Sequence, residues 1–132
     1  MSDEETEAYY ARVKETADEE GITVCQTHAI FGDFAAVDSE EYIEALRKNV
    51  IATRALVCYH MAVYPVALPG RRCDELYEEG VRYNFDVLER LLPHLKKYGV
   101  TACIESLIHE IWEGESSTVL PNVCSRPEEI NR

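Results

Sequence analysis

Apolar positions along this chain fall into two alternating kinds of stretch. Tyr42, Ile43, Leu46, Val50 and Ile51 recur at three- and four-residue spacing, the mark of one buried helix face. Leu76, Val81, Phe85, Leu88, Leu91, Leu92 and Leu95 repeat the signal over a longer helix that opens near Asp74. A thinner stripe of Ala8, Ala11, Val13 and Ala17 predicts a first helix from Asp3 to Glu20. Beside these helices stand three short runs of nearly continuous apolar character, Ile22 to His28, Ala55 to His60 and Val100 to Glu105. Continuous rather than alternating apolarity fits strands covered on both faces in a parallel sheet. The helical stretches are long enough to serve as right-handed crossovers between such strands. The predicted fold class is therefore α/β, with about three parallel strands alternating with helices.

Local punctuation supports these boundaries. Acidic residues crowd the first turn of the first helix and Gly21 stands just past its end. Asp38 with Glu41 three residues on forms a capping box for the second helix. Pro93 sits late in the third helix, where a missing backbone donor predicts a kink, and Gly99 stops that helix. Residues 29–37, Met61 to Arg72 and Ser106 to Cys124 are predicted as loops. Ser125-Arg126-Pro127-Glu128 combines an N-cap, an early proline and a capping glutamate, a helix start. The expected organisation is one partial barrel domain over residues 1–132, ending before a fifth strand.

Each apolar run closes on a side chain able to hold a metal or a polar ligand: His28, His60 and Glu105. In parallel α/β proteins the carboxyl ends of the strands share one face, and ligands collect there. Imidazole and carboxylate together suit a divalent metal. Arg71, with Arg72, follows the Pro69-Gly70 turn, where a forked guanidinium would either grip a substrate phosphate or solvate the helix start. Trp112 and Tyr64 would either wall a ligand site or pack a loop. His109 and Glu110 lie beyond Glu105 in the predicted loop.

Charge narrows the partners. Thirteen Lys+Arg against 25 Asp+Glu give a net charge of −12, a field that repels nucleic-acid backbones and anionic membranes. No run of about 18 uncharged apolar residues is present, and the acidic start is the wrong sign for a secretory or transit leader. A cytoplasmic protein is expected, with no nucleic-acid or membrane partner. The five cysteines are odd in number and lack C-x-x-C spacing, which predicts reduced thiols rather than a disulfide framework.

Tyr98-Gly99-Val100 leading into a strand that ends at Glu105 resembles the sugar phosphate isomerase/epimerase family. Leu91-Leu92-Pro93-His94-Leu95-Lys96-Lys97 before it and the Cys-Ser-Arg-Pro-Glu-Glu stretch at 124–129 resemble the same family. It belongs to the xylose isomerase-like TIM barrel superfamily, which also holds endonuclease IV-type enzymes. The resemblance implies a partial TIM barrel in which Glu105 is both metal ligand and proton-transfer carboxylate. His28 and His60 match positions that bind substrate in the epimerases and metal in the endonuclease branch. It implies a divalent cofactor (Mn, Mg, Co or Zn) and proton transfer on a sugar or sugar phosphate through an enediolate. The chain carries Met61 after His60 and Ser106 after Glu105, where family members often have Pro and Asn.

The reading that follows is a fragment of a metal-dependent sugar or sugar-phosphate isomerase/epimerase. Its open sheet edges are expected to invite a second copy of the chain or a complementing half-barrel chain. The alternative is a non-catalytic α/β domain that binds a partner chain. A third reading, an apurinic-site endonuclease relative, runs against the acidic balance.

Overall fold

The computed structural model describes residues 1–31, 39–66, 77–106, 108–113 and 116–121. Three helices alternate with three strands: α1 (Asp3–Glu19), β1 (Thr27–His28), α2 (Ser39–Ala55), β2 (His60–Val63), α3 (Tyr77–Tyr98) and β3 (Thr101–Ile104). The strands form one parallel sheet in the order β1-β2-β3. This is the architecture that the alternating patterns predict. The predicted third-helix start at 74–76, the loop with Asp38, Arg71 and the Pro69-Gly70 turn, and the helix start at 125–128 lie outside the described residues.

The core sits between the sheet and α2 and α3. Tyr42, Ile43, Leu46 and Val50 from α2 meet Met61 and Val63 from β2 and Val87, Leu91 and Leu95 from α3. Positions 87, 91 and 95 are one helical stripe, so α3 buries these three while Phe85 and Leu92, on its flank, stay exposed. Both had been expected in the core. The helix runs through Pro93 as far as Tyr98. The Tyr42 ring is buried with its hydroxyl, which has no hydrogen-bond partner among the described residues. Burial pushes that phenol up to about 12.

Helix α1 is held differently. Thr6 is its only buried residue among those described. Asp3 instead receives both terminal nitrogens of Arg47, at 2.6 Å each, together with Lys48 from α2. Those donors hold its carboxyl well below the usual carboxylate range, the Arg47 hydrogen bonds most of all. The helix start is closed by a capping box between Ser2 and Glu5.

All three helices end alike. Gly21, Val57 and Gly99 each take a left-handed φ, at 70°, 57° and 65°. The next residue's N–H reaches back to a carbonyl five positions earlier: Ile22 to Ala17, Cys58 to Thr53 and Val100 to Leu95. This is the Schellman arrangement, normally closed by glycine. At the second helix a β-branched valine occupies the glycine position, so the stop carries no sequence signal there.

That missing signal produces the main correction to the sequence reading. The run from Ala55 to His60 is not a strand that ends on histidine. Ala55 is the last residue of α2, Leu56 and Val57 turn the chain, and β2 begins at His60. The strand is instead His60-Met61-Ala62-Val63, whose last three residues are buried. Residues 61–63, read as loop, are the centre of the sheet. β1 is also shorter than predicted. Thr27 pairs with Met61, so residues upstream of Gln26 find no β2 partner.

A second correction concerns residues 106–124, predicted as loop. Ile108–Glu113 (β4) and Ser116–Pro121 (β5) pair antiparallel as a separate two-stranded sheet. His109, Glu110 and Trp112 therefore lie on a strand.

Candidate functional site at the carboxyl end of the sheet

Register decides which side chains can meet. His28 stands beside Ala62, and Ala62 beside Cys103. The ladder continues past the strands, with Ala29 N–H donating to Ala62 O at 2.8 Å and Glu105 N–H to Val63 O at 3.0 Å. Strand alternation sends Met61 and Val63 towards the helices, and so puts Tyr64, Cys103 and Glu105 on the opposite face with His28.

His28 and Glu105 come together as predicted by their strand-end positions. His28 Nδ1 lies 3.8 Å from Glu105 Oε2, both side chains part exposed. His60 does not join them. It pairs with Thr101 at the amino end of the sheet, four residues before Tyr64 and hence about 13 Å away along the strand. The physical reason is the valine-capped turn at Val57, which delays the strand so that His60 opens it. Arg71, proposed from sequence as a phosphate ligand, lies outside the described residues.

The position expected for His60 is held by Tyr64, a residue that the sequence reading left between packing and sugar contact. Its hydroxyl hydrogen-bonds His28 Nδ1. On the other side of the imidazole, Gln26 Nε2 lies 3.0 Å from His28 Nε2. The Gln26 amide and the Tyr64 hydroxyl can each donate or accept, so together they hold the ring in one tautomer. Both imidazole nitrogens are engaged within the chain, which leaves Glu105 as the free anionic ligand of the cluster. Phe31, exposed after β1, stacks on Tyr64 with ring centroids 4.3 Å apart at 29°.

A polar ladder fixes this corner. Thr27 Oγ1 and Thr53 Oγ1 lie 2.7 Å apart, and Thr53 donates to Asn49 O at 2.7 Å. Asn49 Oδ1 accepts from Ile30 N–H at 2.8 Å. Helix α2 thus holds the Thr27 side chain on one side of His28 and the Ile30 backbone on the other. Asn84 of α3 does the same beyond β2, accepting from Val66 N–H at 2.8 Å and donating to Val66 O at 3.0 Å.

For a divalent metal the fit is partial. Glu105 supplies one hard oxygen donor, but no group of three His, Cys, Asp or Glu side chains that could hold a metal ion gathers among the described residues. No helix among those residues is long and apolar enough to cross a membrane. Cys25, Cys58 and Cys103 are free thiols.

A parallel α/β sheet with polar side chains gathered beyond its carboxyl ends is the plan of a barrel-type protein. The family model of the xylose isomerase-like TIM barrel matches residues 1–123. The chain belongs to that family. Among solved structures it is similar to a D-tagatose 3-epimerase-like protein, at TM-score 0.62 and 19% identity. The likeness covers 76% of this chain and 39% of that one, and at this identity it speaks for the fold. No curated protein matches the chain.

Proposed function

We propose that this chain carries part of the active site of a divalent-metal-dependent sugar or sugar-phosphate isomerase/epimerase, with Glu105 as its proton-transfer carboxylate. The observation that supports this most is the convergence of Glu105, His28 and Tyr64 beyond the carboxyl ends of three parallel strands. Family membership and an epimerase-like structural neighbour favour the same chemistry.

In this reading Glu105 takes a proton from the carbon beside a sugar carbonyl. The enediolate is reprotonated at the neighbouring carbon in an isomerisation. In an epimerisation it is reprotonated on its opposite face, by a second carboxylate from outside the described residues. His28, itself held by Gln26, fixes the Tyr64 hydroxyl beside Glu105, where that hydroxyl can meet a substrate hydroxyl. A divalent cation with Glu105 as one ligand would polarise the carbonyl oxygen, and its other ligands would come from outside the described residues. The chain spans 39% of the neighbour's length, so turnover belongs to the proposal for a complete barrel.

Calorimetric titration of the chain with Mn²⁺ tests this reading. The expected result is one site of measurable affinity that Glu105→Gln weakens by roughly tenfold or more, the cost of removing a charged ligand. Equal binding by the two proteins would reject Glu105 as a ligand.

A further inference from the structure

We propose that two copies of this chain pair through α3, antiparallel, along a second apolar stripe that the single copy leaves uncovered. Val81, Phe85, Leu88 and Leu92 recur at spacings of four, three and four residues, the seam of a two-helix coiled coil. This seam is distinct from the core stripe of Val87, Leu91 and Leu95 and lies about 95° around the helix from it. Nor does it face α2, because Arg90, which reaches Glu40 of α2 at 2.6 Å, stands on the opposite flank. Phe85 is 57% exposed and Leu92 43%, while Val81 and Leu88 are half-buried. Four large apolar side chains in line along about 17 Å of helix form a patch rather than scattered exposure.

The charges bordering the seam select a second copy as its occupant and fix its direction. Arg82 and Glu89 lie on the solvent side, both exposed, and neither has an ion-pair partner among the described residues. In an antiparallel pair Phe85 stands opposite Leu88 of the other copy and Val81 opposite Leu92. Each Arg82 then falls beside the other copy's Glu89, and Glu78 and Lys96 meet in the same register. Sliding one copy by a heptad sets Glu89 against Glu89 or Arg82 against Arg82, and like charges oppose both shifts. A parallel pair places Glu89 beside Asn84 and matches no charge. One arrangement therefore satisfies the apolar and the charged rows together, and it is self-complementary under a two-fold axis, as a homodimer requires. The seam is short, so the dimer belongs at the small end of specific interfaces, with micromolar affinity.

Analytical ultracentrifugation of the whole chain, native and substituted, decides this. The expected result is a reversible monomer–dimer equilibrium that Phe85→Glu abolishes at the same concentrations. Arg82→Glu and Glu89→Arg should each weaken the dimer by roughly fivefold or more, since each creates like-charged pairs on both sides of the two-fold axis. Mixed together, those two proteins should associate as tightly as the native chain, because every glutamate then faces an arginine. Positions 82, 85 and 89 are exposed, so the substitutions are compatible with folding, and circular dichroism checks each variant. A native chain that stays monomeric throughout would leave the stripe to a helix of another protein and overturns the pairing. A dimer indifferent to Phe85→Glu in a folded protein overturns it too, as does a mixture that associates no better than its components.

Discussion

Tyr64 and His28, 36 positions apart in the chain, are joined side chain to side chain across neighbouring parallel strands. The bond exists because β1 and β2 run in register and both side chains leave the sheet on the face away from the helices. It ties the aromatic and the acidic halves of the candidate site through one imidazole.

Replacing Tyr64 by phenylalanine removes the hydrogen-bond partner of His28 Nδ1 and keeps the ring. The expected loss of stability is about 1 kcal/mol, typical of one side-chain hydrogen bond. Long-range ¹H–¹⁵N correlation of the His28 ring should show a single tautomer in the native protein and a mixture in the variant. A native ring that already exchanges between tautomers would contradict an imidazole held at both nitrogens.

His60 should prove irrelevant to ligands at the site. It opens β2 at the amino end of the sheet, opposite Thr101. His60→Ala is expected to leave the Mn²⁺ titration unchanged. A loss matching that of Glu105→Gln would restore the position read from the sequence.

Val57 stores strain that glycine would release. Its φ of 57° is in the left-handed region, unfavourable for a β-branched residue. Val57→Gly should raise stability by about 1 kcal/mol in urea denaturation. Gly99→Ala should do the opposite by a similar amount, on backbone grounds alone, since a Cβ there would meet no neighbour within 4 Å. A destabilised Val57→Gly protein would show that the side chain matters more than the turn.

The junction of α1 and α2 should be acid-sensitive. Asp3 has a folded-state pKa depressed by Arg47 and Lys48. Its contribution is therefore complete above the unfolded carboxyl value of about 4 and disappears as pH falls below it. Urea midpoints between about pH 5 and pH 2 should fall more steeply for the native chain than for Asp3→Asn. Parallel profiles would assign the docking of α1 to other contacts.

Much of this fold was legible in the pattern of apolar residues. The helix stripe Tyr42, Ile43, Leu46, Val50, Ile51 is buried as its spacing requires, and the parallel strand order follows from continuous apolar runs separated by helices. Gly21 and Gly99 marked two helix ends correctly because glycine readily takes the left-handed turn. The third end was invisible because Val57 takes the same turn without the residue that usually signals it. One unmarked turn moved β2 by several residues, carried His60 to the far end of the sheet and put Tyr64 at the site. Glu105 and His28 were readable since each directly follows or ends its apolar run. The β4–β5 hairpin was missed because its polar residues resemble loop composition.

Paramagnetic broadening of backbone amides by substoichiometric Mn²⁺ tests most directly whether the strand tips form one ligand site. The account predicts that signals of Glu105, His28 and Tyr64 broaden first and together, while those of His60 and Thr101 stay sharp. Broadening centred on His60, or confined to the acidic face of α1, would contradict it.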